Sequence, residues 1–157
     1  MYKITFLTII KKENSAVNAV YYPVSIKDLN KTDKRESGYC RVKVEGKDLN
    51  FYGKKIKTKN KNFWVYAANP GKIKKPNNNH PIVQSYVDLF IGGCFQIKER
   101  YKINEFPKQC VETTTEWSKH WVNDRVHARR PFLVPNFYKI DKLLSNYFDY
   151  YLENKYQ

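Results

Sequence analysis

Hydrophobic and polar positions divide the chain into a half that alternates and a half that cycles with helical period. KITFLTII (residues 3–10) and AVYYPVSI (19–26) are rich in β-branched and aromatic residues, which favours strands. Pro23 places the second at a sheet edge or bulge. In GYCRVKVEGKDLNFYG, Cys40, Val42 and Val44 share one strand face, while Tyr39, Arg41, Lys43 and Glu45 share the other. Gly46 marks a turn, and DLNFY reads as the returning partner. NFWVYAA supplies a fifth strand.

After residue 80 the period changes. Pro81 suits a first helical turn, and Ile82, Val83, Tyr86, Val87, Phe90 and Ile91 form an apolar face that Gly92-Gly93 ends or kinks. CFQIKERYKI fits either a helix continuation or a strand. Thr113 and Glu116 have capping-box spacing, which predicts a helix from about residue 112 through His127, stopping before Pro131. A last helix is expected after a cap at Asn136, with Phe137, Ile140, Leu144, Tyr147, Phe148 and Tyr151 along one side.

The expected architecture is therefore one α+β domain over residues 1–157. A mostly antiparallel sheet of about five strands (β-rich 1–68) packs against C-terminal helices (81–157), across an exposed connection at 69–80. At 157 residues, with 41% hydrophobic and 16% aromatic content, the chain has the material for a core.

Composition changes the picture mainly through charge. Lys and Arg number 29 against 15 Asp and Glu, a formal net charge of +14 that attracts polyanions. A coding bias towards Lys, Asn and Tyr is the plainer source of the same excess. Cys40, Cys94 and Cys110 form no CxxC pair, which argues against a zinc ribbon or thioredoxin-type site. The opening MYKITFLTIIKK reads as a strand rather than a signal peptide, and no window approaches a membrane span. The expected setting is cytoplasmic, intracellular and soluble, without a membrane partner.

From Lys54 to Lys75 there are eight lysines and no acidic residue, so over half of the net charge lies in this stretch. Lys54, Lys55, Lys57, Lys59 and Lys61 are the candidate phosphate contacts. Phe51 and Tyr52 precede these lysines, and Phe63, Trp64 and Tyr66 follow. Strand alternation puts Trp64 and Tyr66 on one face, an arrangement suited to stacking unpaired bases.

HWVNDRVHARRPF, residues 120–132, is the densest polar cluster. On a helix, Glu116, His120, Asp124 and His127 would follow one face, so a carboxylate could orient an imidazole for general acid–base work. Arg125, Arg129 and Arg130 would form an anion-facing edge, and Trp117 and Trp121 would anchor the helix. The spacing is not HExxH, and no further ligand is apparent, so neither a metal nor another cofactor is expected.

Three functions follow. The leading one is a nucleic-acid-binding protein for RNA or single-stranded DNA, using the lysine loop, Trp64, Tyr66, Arg125, Arg129 and Arg130. The second is a small phosphodiesterase-like or nucleotide-modifying enzyme, with His120 and His127 as acid and base and Asp124 as orienter. The third is a basic interaction protein that docks an acidic protein partner.

Overall fold

The structure, a computed structural model, describes residues 3–53, 56–130 and 134–153. These gather into two compact units. One comprises Leu7–Asn14 with Ala19–Lys74, and the other Met1–Phe6, Ser15–Asn18 and Lys75–Gln157.

The first unit is built on a hairpin. Strand β1 (Tyr39–Val44) pairs antiparallel with β2 (Phe63–Ala68), in register from Tyr39 opposite Ala68 to Val44 opposite Phe63. The expected partner DLNFY is not a strand; Gly46–Asp48 is a 3-10 turn instead. Gly46 lies so close to Thr58 that an added Cβ would fall 2.6 Å from its hydroxyl. Behind the hairpin, Tyr21 meets the edges of Phe51 and Phe63, with centroids 6.0 Å apart in each case. Helix α1 (Ile26–Arg35) lies where the second strand was expected to end. Ser25 starts it, its hydroxyl accepting the Asp28 N–H at 3.1 Å, which satisfies one of the first-turn donors.

The second unit is mainly helical. Helix α2 (Gln84–Tyr101) runs through Gly92-Gly93 without ending, and closes on Lys102 in the left-handed region at φ 58°. Gly92 is there because Val134 packs against it: a Cβ would stand 2.8 Å from Val134 Cγ1. CFQIKERY belongs to this helix. Helix α3 (Phe106–Thr113) follows, then α4 (Phe137–Ser145) and the short α5 (Tyr150–Glu153). Ile91, Val111, Ile140 and Leu144 are at most 2% exposed and form the centre of the core. Within it, Cys94 on α2 and Cys110 on α3 are buried free thiols, and the neighbouring Cys110 first, and burial second, push the Cys94 thiol up. A two-residue strand β3 (Ile82–Val83) runs parallel to β4 (Trp121–Val122).

The expected five-stranded sheet is thus replaced, among the described residues, by two sheets of two strands each. Residues 3–10 do not form a strand. The Thr5 N–H reaches the Pro81 carbonyl at 3.0 Å, but Pro81 has no N–H to return, so no ladder grows there. The helix expected over 112–127 is also absent. Thr113 and Thr114 turn their hydroxyls onto the Gln109 and Cys110 carbonyls and so close α3. Glu116 sits at φ 63° rather than in a capping box, paired with Lys75 at 3.1 Å. Asn136 is likewise at φ 61°, and α4 begins without a side-chain cap. No helix among the described residues is long and apolar enough to cross a membrane.

Candidate nucleic-acid interface

In the hairpin unit, the β1–β2 register aligns Arg41 with Tyr66 and Lys43 with Trp64. Because alternate residues share a face, these two cross-strand pairs lie on the same side of the hairpin. Val42 and Val65 pair on the opposite side, as do Val44 and Phe63, which faces Tyr21. The aromatic rings are held in place. Arg41 stacks over Trp64 at 4.7 Å, and its Nη1 donates to Asp33 at 2.8 Å. The Tyr66 hydroxyl donates to the other oxygen of Asp33 at 2.6 Å. Desolvation, then Asp33, push the Tyr66 phenol up, so it stays a neutral donor. Trp64 remains 39% exposed.

Lys57, Lys59 and Lys61 are exposed, and among the described residues no carboxylate stands within ion-pairing distance of them. Lys54 and Lys55 lie outside the described residues.

In the helical unit, the histidine segment is organised by a buried polar network rather than by a helix. Arg125 donates twice to Asp88, Nε to Oδ2 and Nη2 to Oδ1, both at 2.7 Å. It donates twice more to Asp141, at 3.1 and 2.8 Å, and its guanidinium covers the Phe137 ring at 4.7 Å. Burial pulls its pKa down, but the two carboxylates outweigh this and hold it charged. Tyr151 donates to Asp141 at 2.7 Å and stands 3.0 Å from Gln84 Oε1, which also accepts the Trp121 indole N–H. Arg125, expected at a phosphate edge, therefore has its fork filled, and a phosphate would have to displace Asp88 or Asp141.

Asp124 is buried as well. It accepts the Ser85 N–H and hydroxyl, at 2.7 and 2.6 Å, and the Arg129 N–H at 2.8 Å. Its hydrogen bonds thus go to a serine and a backbone amide, not to an imidazole. His120 Nδ1 meets Asn78 Oδ1 at 2.6 Å, and His127 is exposed, its backbone N–H on the Asp124 carbonyl. Trp117 and Trp121 do stack, with centroids 5.7 Å apart and planes 14° apart, although no helix joins them.

The same network fixes a pocket that sequence spacing does not reveal. Asp124 holds the Arg129 backbone, and the Ser85 hydroxyl accepts the Arg130 N–H at 3.1 Å. From the other side, Thr5 binds the His80–Pro81 turn, its hydroxyl on the His80 carbonyl at 2.6 Å and its N–H on Pro81. Lys3, Ile4, Phe6, His80, Arg129 and Arg130 then line one cavity of about 380 Å³. The Arg130 guanidinium lies 5.6 Å from the centroids of both Phe6 and Tyr86. Its Nε is shielded from solvent and has no hydrogen-bond partner among the described residues.

No group of three or more His, Cys, Asp or Glu among the described residues is placed to hold a metal ion. Comparison with protein-family models, curated proteins and solved structures finds no match for this chain.

Proposed function

We propose that the protein binds single-stranded nucleic acid, RNA or DNA, through the exposed face of the hairpin and its lysine loop. The observation that carries this reading is the side-by-side placement of Arg41·Tyr66 and Lys43·Trp64 on one face. A base stacks on an aromatic ring whatever its identity, and only an unpaired strand presents its faces for stacking. Arg41 and Asp33 preset the rings, so less ordering accompanies binding. Lys57, Lys59 and Lys61, which lack acidic partners among the described residues, supply the phosphate attraction.

The test is fluorescence anisotropy with a labelled single-stranded oligonucleotide and the duplex of equal length, across a salt series. Expected are preference for the single strand and affinity that falls as salt rises. Replacing Lys57, Lys59 and Lys61 with Gln should flatten the log–log salt slope by about 2, at about 0.7 per phosphate lost. Duplex preference, or a slope unchanged in the triple variant, would refute the reading.

A further inference from the structure

We propose that the cavity lined by Lys3, Phe6, His80, Arg129 and Arg130 is a receptor for a terminal phosphate monoester, the phosphorylated end of a nucleic-acid strand. That the phosphate comes from a strand end, and not from a free nucleotide, rests on the function proposed above.

Charge decides the type of phosphate. Lys3, Arg129 and Arg130 are three basic side chains around one cavity, with His80 as a fourth nitrogen base and no Asp or Glu among the described residues that line it. A phosphodiester inside a chain carries a single negative charge. A monoester carries about 1.5 to 2 at neutral pH and offers three strong acceptor oxygens, so it makes fuller use of converging arginine and lysine donors.

Size and shape agree. About 380 Å³ lies at the low end of the range for small-ligand pockets, room for one terminal nucleotide and not for a run of them. The Phe6 ring, 50% exposed and set edge-on to Tyr86 at 5.7 Å, offers an apolar surface to the end base beside the charged groups. The positions of the arginines are built in: the backbone amides of Arg129 and Arg130 are tied to Asp124 and Ser85, which fixes where both side chains leave the chain beside the cavity.

Three oligonucleotides of one sequence, bearing a 5′-phosphate, a 3′-phosphate or hydroxyls at both ends, distinguish the possibilities by anisotropy. One phosphorylated form is expected to bind about tenfold tighter than the hydroxyl form, the scale of one added charge-assisted contact. Arg129→Gln and Lys3→Gln, both at exposed positions and checked for folding by circular dichroism, should each shrink that ratio. Equal binding of all three oligonucleotides by the unmodified protein would overturn the proposal. Should none of them bind, the hairpin reading fails, and the pocket is judged by calorimetry with adenosine 5′-monophosphate against adenosine. Heat from the nucleotide alone, lost in Arg129→Gln, would uphold a monoester site with a free nucleotide as its source. Absence of heat, or equal heat from both, would overturn it.

Discussion

Arg125 grips Asp88 through two parallel hydrogen bonds of 2.7 Å each, and this fork ties the segment after β4 to the first turns of α2. Both side chains are largely withdrawn from solvent, at 19% and 7% exposure, so neither charge is tolerable alone. Arg125→Met should therefore destabilise the protein by about 3–5 kcal/mol, the range for a buried pair that loses one member. Urea unfolding measures this. Adding Asp88→Asn and Asp141→Asn to Arg125→Met should recover much of the loss, and failure to recover any would show that the network's charge is not the cause.

Tyr151 gives the network an alkaline limit. Burial first, then the hydrogen bond to Asp141, raise its phenol above the ordinary value of 10.0. A group with a raised folded-state pKa keeps its proton where the unfolded chain has lost it. Its stabilisation is thus complete below pH 10 and declines as pH rises beyond it. Between pH 10 and the onset of base unfolding, the unmodified protein should lose up to about 1.4 kcal/mol more per pH unit than Tyr151→Phe. Parallel stability curves for the two proteins would contradict the assignment.

Trp64 is half of the stacking face, and its contribution is separable from the loop charges. Trp64→Ala should weaken binding of a single-stranded oligonucleotide by about 1–3 kcal/mol, roughly 5- to 150-fold, with the salt slope retained. Anisotropy at two salt concentrations distinguishes this from the lysine variants, whose effect shrinks as salt rises.

Gly92 tests the packing that lets α2 run on. Alanine is the better helix former by about 1 kcal/mol, yet here its methyl would meet Val134 Cγ1 at 2.8 Å. Gly92→Ala is expected to destabilise, by about 1–3 kcal/mol as for other overpacked sites. Val134→Ala in the same protein should offset part of that, which a double-mutant cycle in urea would detect as non-additivity.

How much of this was legible beforehand depends on where the deciding interactions lie. The alternation at Cys40–Val44 and Phe63–Ala68 identified both hairpin strands, and with them the shared face of Trp64 and Tyr66, because period two is local information. The apolar stripes located α2 and α4 for the same reason, but Ile82 and Val83 lie in β3, and Tyr147, Phe148 and Tyr151 fall beyond the end of α4 at Ser145 rather than in one continuous helix. Helix α1 also carried a local signal that went unused: Ser25 followed three residues later by Asp28 is a capping pattern. Residues 112–127 misled because the Thr113–Glu116 spacing is equally compatible with a helix end, and Asn123 and Asp124 take backbone N–H groups that a helix would need. The pocket had no local signature. Lys3 and Arg130 converge only through Thr5 on Pro81 and Arg130 on Ser85, pairings across long stretches of chain that no periodicity encodes.

The clasp of Thr5 on the His80–Pro81 turn also links that cavity to the local stability of the chain's first residues. One wall, Arg129 and Arg130, is held through two backbone amides by Asp124 and Ser85, and the other, residues 3–6, by the two hydrogen bonds of Thr5 to His80 and Pro81. A ligand spanning both walls would bind where both sets of bonds are made, so its occupancy would favour the Thr5 contacts. Protection of the Thr5 amide from hydrogen exchange should therefore rise when such a ligand is added.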